Sequence, residues 1–259
     1  MKKTTTTLPF GGFASSGVPL RQIRSRIHEQ YGQRTYALFH APRFAVLLKL
    51  VTEHASMPSP KILDIGMSEF TDMMRDSFKV PIDTLDFRPD ADSERGRQFF
   101  FDLTWCDQPE KWRSDMPQYD VVVMAEVIEH IYVSPKFQFD FLRSLLRPGG
   151  VLVLQTPNAL TLQKRIKPLL GIHPYEKIRV EDKYGGHVRE YTVKELRSYA
   201  EVAGFEVLQT TLGAYFDSRF KAYSGRTKST IEAVLTDWLG QYLPPCLRPG
   251  ITMVMRKQE

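Results

Sequence analysis

Lys61-Ile62-Leu63-Asp64-Ile65-Gly66 is the stretch whose reading decides the fold. Its apolar residues run on without regular polar alternation, which suits a strand buried on both faces. A helical pattern follows from Ser68 to Phe78. The glycine lets backbone approach a ligand, and the helix behind it offers unpaired N–H groups. Outward from here the same alternation repeats. Strands are predicted at Ile82–Phe87, Gln98–Leu103 and Tyr119–Ala125, the last with Val121, Val122 and Val123 in a row. A helix then runs to about Leu146 and stops at Arg147-Pro148-Gly149-Gly150, ahead of a strand at Val151–Gln155. A helix at Thr192–Ala203, a strand at Phe205–Thr211 and a final strand at Ile251–Met255 complete the series. Such an order builds an α/β, doubly wound, mostly parallel sheet, with its ligand at the carboxyl ends of the strands.

Upstream, Leu20–Tyr31 and Pro42–His54 read as helices, and residues 1–18, rich in Thr, Gly, Ser and Pro, as a flexible leader. Pro58 and Pro60 mark a boundary. The expected division is a leader with helical extension at 1–58 and a main domain at 59–259, carrying cap segments 158–191 and 214–249.

Composition narrows the class. The 259 residues carry 35 Lys+Arg and 30 Asp+Glu, so 35 − 30 = +5, and 42% are hydrophobic, as in ordinary globular proteins. No apolar run approaches the ~20 residues that span a bilayer. Met1–Thr7 lacks the apolar core of a secretory signal. Cys106 and Cys246 have no partner at metal or redox spacing, which points to reduced thiols in the cytoplasm. The mild charge permits an anionic substrate or peripheral membrane contact and argues against nucleic acid.

Asp86 ends its predicted strand 22 residues after Asp64, near the ~20-residue spacing at which an acid meets ribose hydroxyls in nucleotide-binding α/β folds. The competing reading is a solvated loop acid. Phe87 is placed to pack on an adenine face or in the core. Asp102, before Leu103, can accept from an adenine amino group or cap a helix.

The series Lys61–Gly66, Leu85-Asp86, Phe101-Asp102-Leu103, Tyr119-Asp120-Val121-Val122, Glu126-Val127-Ile128-Glu129-His130, Leu146–Gly150 with Thr156-Pro157-Asn158, His187–Thr192 and Ala203-Gly204-Phe205 resembles class I S-adenosylmethionine-dependent methyltransferases. It looks closest to the branch of ubiquinone-type O-methyltransferases and bacterial glycan-cluster methyltransferases. The resemblance implies a Rossmann-like, seven-stranded sheet whose last strand, Ile251–Met255, runs antiparallel. It also implies S-adenosylmethionine as cofactor, with Asp64, Gly66 and Met67 toward the methionine part. Asp86 would then meet the ribose, Asp102 the adenine, and Ala125 and Glu126 the sulfonium, with Phe87 and Leu103 beside the nucleoside. One departure stands out: Gly66 is followed by Met67-Ser68-Glu69-Phe70 where the family carries more glycines, so the loop reads as shorter. A cofactor-binding or scaffold protein without turnover is the rival reading. A nicotinamide oxidoreductase fits poorly, because Gly-x-Gly-x-x-Gly is missing.

A hydroxyl or amine acceptor has a proton to lose, and histidine suits that task near neutrality. His130 is the first candidate base and His187 the second, with Glu129 to orient either, and no metal. The acceptor is expected to be a small molecule, a saccharide or a lipid-linked intermediate. If a helix began at Glu126, spacings of three and four would bring Glu126, Glu129 and His130 to one face. With His187 they would suit a divalent cation; a metal-assisted RNA 2′-O-methyltransferase is the further alternative. Residues 158–191, with Lys164, Arg165, Lys167, Lys177, Arg179 and Lys183 among tyrosines, suit an anionic group, and Gly185-Gly186 a lid hinge. In 214–249, Ile231, Val234, Leu235, Trp238, Leu239 and Tyr242 follow amphipathic helical spacing.

Overall fold

The computed structural model describes residues 5–6, 20–32, 35–55, 58–175, 177, 186–220, 240 and 242–259. Helices α1 (Leu20–Tyr31) and α2 (Thr35–His54) come first. Strand β2 (Ile62–Ile65) leads through α3 (Glu69–Phe78) to β3 (Ile82–Asp86), and β4 (Ala91–Ser93) turns back into β5 (Gly96–Phe100). Then come β6 (Tyr119–Ala125), α4 (Pro135–Leu145), β7 (Leu146–Pro157), α5 (Leu162–Ile166), α6 (Val193–Val202), β8 (Phe205–Gly213) and β9 (Gly250–Lys257). A two-residue strand β1 (Thr5–Thr6) lies in the expected leader and pairs with Thr210–Thr211.

The sheet order is β1-β8-β9-β7-β6-β2-β3-β5-β4. Without the short β1 and β4, this is the expected seven-stranded sheet. β2 pairs in parallel with β3 and β6, β3 with β5, and β6 with β7, while β9 lies antiparallel between β7 and β8.

Successive side chains of a strand point to opposite faces, and the valine run of β6 uses both. Val122 and Met124 join an apolar cluster with Phe139 and Leu142 of α4 and Leu196 of α6. Val121 and Val123 join the other, with Phe44, Leu47 and Val51 of α2 and Met73 and Met74 of α3. The N-terminal helices thus cover one face of the sheet, and the Phe44 ring stacks on Phe70 at 5.6 Å.

Several boundaries differ from the sequence reading. α2 begins at Thr35 and carries Pro42 inside it; burial of Ala37, Leu38 and Ala41 outweighs the lost N–H donor and the ring clash. β5 ends at Phe100 because Asp102 caps a 3-10 turn over Leu103–Trp105. The expected helix after β6 is a 3-10 turn at Ile128–His130 and then α4, opened by Pro135 at its first turn. Arg147–Gly150 belongs to β7, which reaches past an irregularity to pair Leu146 with Tyr119. The amphipathic pattern at Ile231–Leu239, along with Arg179, Lys183 and Gly185, lies outside the described residues.

Phe44 is fully buried on α2. Phe44→Ala is expected to cost about 3–5 kcal/mol by cavity formation, read from urea unfolding. A loss below about 1 kcal/mol would show that α2 is not part of the sheet's core.

Candidate active site

Three parallel strands, β2, β3 and β6, end on one side of the sheet and bring Gly66, Asp86 and Glu126 together. Gly66 has φ +83°, and a Cβ there would stand 2.8 Å from Val127 Cγ2, so both backbone angle and space demand glycine. Its N–H donates to the Leu85 carbonyl at 3.0 Å, tying the loop to β3. The tight loop Met67-Ser68 then enters α3 through a capping box: the Ser68 hydroxyl accepts from Phe70 N–H, and Ser68 N–H donates to Thr71 Oγ1 at 3.0 Å.

Asp64 lies inside the protein, and its Oδ2 accepts from the Thr71 hydroxyl at 2.6 Å. Burial pushes its carboxyl up to about 7, against the pull of Thr71 and of the Arg75 and Arg43 charges. It acts on the first loop through α3, by holding the helix start.

Asp86 is buried at the end of β3 and is no solvated acid. Arg88 wraps onto it, donating from its backbone N–H at 2.6 Å and from Nε at 2.8 Å, with Nη2 also on Oδ2. Nη2 reaches the Met67 carbonyl at 3.2 Å, so Arg88 spans from the acid to the first loop. Phe87 is 56% exposed, outside the core. Asp102 Oδ1 accepts from Thr104 N–H and hydroxyl at 3.0 and 2.7 Å, which gives it a capping role. Leu103 and Ala125 are half-buried.

Glu126 adopts φ +57° at the end of β6, and its N–H donates to the Gln155 carbonyl at 2.8 Å. Its carboxylate faces Arg43 of α2, with Nη1 at 3.6 Å. Arg43 is 3% exposed, and its Nε and Nη1 make no hydrogen bond; His40, one turn earlier and buried, leaves Nδ1 without one. Arg43 escaped the sequence reading, although a cation directly before the apolar run Phe44–Leu48 was a usable signal.

Glu126, Glu129 and His130 do not share a helical face, because the chain leaves β6 through the left-handed Glu126 into a 3-10 turn. Glu129 is fully buried; Oε2 accepts from the Thr156 hydroxyl at 2.9 Å and Oε1 has no hydrogen bond. Burial, reinforced by the other's charge at Glu129, raises both Glu126 and Glu129. The Glu129 carbonyl accepts from Val188 N–H at 2.8 Å and binds the later segment to the turn.

That segment delivers His187. The His130 and His187 rings meet edge to face at 5.0 Å. Glu129 Oε1 lies 4.0 Å from His130 Nε2, outside hydrogen-bond reach. His130 Nδ1 donates to the Gly186 carbonyl at 2.7 Å, and His187 Nδ1 to Glu190 Oε1 at 3.0 Å. Since a carbonyl only accepts, the lone pair of neutral His130 sits on Nε2. Glu190 also pairs with Lys164. Burial pulls the His187 imidazole down, but its bond to Glu190 and the charges of Glu129, Glu190 and Glu126 carry it above its ordinary value. Glu190 is held low by His187 and Lys164 despite its burial. Glu190 was missed, although it stands three residues after His187.

The family profile described as "Methyltransferase domain" matches residues 36–210. A curated protein of Mycolicibacterium smegmatis, described as a "probable S-adenosylmethionine-dependent methyltransferase", is 39% identical over 97 residues, which are 37% of this chain and 32% of that protein. The chain thus spans about a third of that relative's length. Among solved structures, an S-adenosylmethionine-dependent methyltransferase from Archaeoglobus fulgidus aligns with TM-score 0.52 at 13% identity, covering 90% of this chain and 99% of that one. The [4+2]-cyclase SpnF aligns with TM-score 0.53 at 14% identity, covering 84% and 82%. These two likenesses concern the fold, which hosts more than one chemistry.

Glu190→Gln is expected to lower the His187 titration midpoint, read by NMR of its ring protons, because the neutral amide cannot favour the imidazolium as the carboxylate does. An unchanged or raised midpoint would mean that Glu190 is not its charge partner.

Proposed function

The chain belongs to the methyltransferase-domain family, and from that premise we propose that it moves the methyl group of S-adenosylmethionine to an acceptor hydroxyl. Amine or carboxyl acceptors rank behind it. The observation that carries this reading is the meeting of two half-sites across the 126–130 turn. Gly66, Asp86 and Glu126 stand at the strand tips on one side, and Glu129, His130 and His187 on the other.

The residues fit the donor. Gly66 lets the first loop approach Val127 of the 126–130 turn more closely than a Cβ would allow, and Arg43 keeps two buried nitrogens without hydrogen bonds beside Glu126. A buried guanidinium so placed suits the donor's carboxylate. Asp86 would take the ribose hydroxyls once Arg88 swings aside, and Asp102 and Phe87 the adenine. When bound, the donor supplies an electrophilic methyl on a sulfonium. The protein's work is alignment and exclusion of water. His187, oriented by Glu190, is set to take the acceptor proton through Nε2, and His130 packs against its ring. The acceptor classes stay those of the resemblance: a small molecule, a saccharide or a lipid-linked intermediate.

One observation favours a second reading of the acceptor side. Ligand atoms of Glu129, His130 and His187 all lie within 4.8 Å of one another, and Glu129 Oε1 points no hydrogen bond elsewhere. A divalent cation there would polarise the acceptor oxygen in place of a histidine base. Turnover abolished by chelation and restored by magnesium or manganese would select this reading. Full activity after exhaustive chelation would select the base.

Calorimetry with S-adenosylhomocysteine tests the donor site. Asp86→Ala is expected to weaken binding by about 1–3 kcal/mol. Arg43→Gln should weaken S-adenosylhomocysteine far more than methylthioadenosine, which lacks the carboxylate; equal losses would remove Arg43 from the site. No binding of either the methylated or the demethylated cofactor by the wild type would overturn the function. The acceptor is found by incubating labelled donor with fractionated extract and identifying the labelled product.

A further inference from the structure

The stretch from Asn158 to Tyr175 carries Lys164, Arg165 and Lys167 and no acidic residue. It folds as α5, opened by the Thr161 cap, then a 3-10 turn Lys167–Leu170 closed by Gly171 in the left-handed conformation. This short frame turns its apolar side chains outward. Leu169 is 84% and Leu170 68% exposed, with Leu160, Leu162, Ile166 and Ile172 exposed around them. Leucines at such exposure in one loop exceed the scattered apolar residues that any surface shows.

The loop is tied to the acceptor side of the site. Ala159 N–H donates to the Tyr191 carbonyl at 3.0 Å. Lys164 Nζ donates to the Asn158 carbonyl at 3.0 Å and pairs with Glu190, the residue that holds His187. With the Lys164 head turned inward, the other cations along the apolar face are exposed Arg165, whose Nε donates to the Leu160 carbonyl at 3.0 Å, and half-buried Lys167, whose Nζ donates to the Pro174 carbonyl at 3.4 Å. Apolar side chains that project beside cations, with no acid among them, suit a bilayer surface with anionic headgroups: the hydrocarbon boundary takes the leucines and the phosphates take the cations. No helix among the described residues is long and apolar enough to cross a membrane, so such contact is peripheral.

We propose that the 160–172 loop docks the protein on an anionic lipid surface, with Leu169 and Leu170 inserted at the headgroup boundary and Arg165 and Lys167 against phosphates. The acceptor is then borne by a lipid and reaches the His187 side of the site from the membrane. That acceptor class rests on the methyl-transfer reading; the docking does not.

The test is sedimentation of the full chain with vesicles of phosphatidylcholine alone or with about one third phosphatidylglycerol. The wild type is expected to partition to the anionic vesicles and to come off as salt rises. Leu169→Ser with Leu170→Ser, both on exposed positions, should lower that partition at least tenfold, and Arg165→Ser with Lys167→Ser should lower it on anionic vesicles only. Equal partition of wild type and the leucine variant, or no vesicle binding at all, overturns the proposal. So does a wild-type dimer, seen by sedimentation equilibrium, that the leucine variant dissociates without any vesicle binding; the face would then seat a second copy. S-adenosylhomocysteine affinity, measured on the same samples, is expected to be unchanged. Its absence from wild type and variant alike would sink the methyl-transfer reading and leave the docking result standing.

Discussion

Parallel pairing of β2 with both β3 and β6 is the constraint from which the site follows. Parallel strands end on the same side, so their terminal residues meet without any loop having to carry them there. Gly66, Asp86 and Glu126 are neighbours for this reason, although 60 residues separate the first from the last. The pairing is paid for in the core: the β6 valines are buried on both faces, by α4 and α6 on one and by α2 and α3 on the other. A sheet covered on only one face would have no reason to keep an uninterrupted apolar strand.

The same burial makes the strand tips electrostatically unusual. Asp64 and Glu129 are buried and Glu126 half-buried, and desolvation raises the carboxyl of each. Asp64 is compensated locally by Thr71. Glu126 and Glu129 are compensated only in part, by an Arg43 beyond hydrogen-bond reach and by one Thr156 bond. Buried polar groups are ordinarily satisfied, so a set of orphaned nitrogens and oxygens gathered at one end of a sheet marks a place shaped for something other than the chain itself. Arg43 Nε and Nη1, beside Glu126, and Glu129 Oε1, 4.0 Å from His130 Nε2, belong to such a set.

The fold was legible because its signals are local: apolar runs for strands, and Pro and Gly as stops. That Gly66 and Asp86 stand at strand ends was legible as well. What escaped depends on tertiary packing. Pro42 reads as a helix start, and only burial against the sheet makes α2 continue through it. Arg43 reads as a lone cation until Glu126 is seen opposite. Arg88 looks like a loop residue, yet it wraps Asp86 because a buried acid at a strand end draws the nearest guanidinium. Helical spacing misplaced Glu126 relative to Glu129, since periodicity cannot foresee a left-handed residue that bends the chain out of the strand.

The turn at 126–130 therefore does more than present side chains. Val127 fills the space above Gly66, so the turn borders the donor loop, and Glu126 faces Arg43 on the helix behind it. On its other side the Glu129 carbonyl holds Val188, and His130 holds Gly186. The first loop and the segment that carries His187 both touch these five residues. A packed turn of this kind does not deform continuously; a shift of Val127 toward or away from Gly66 must carry the Glu129 carbonyl and His130 with it.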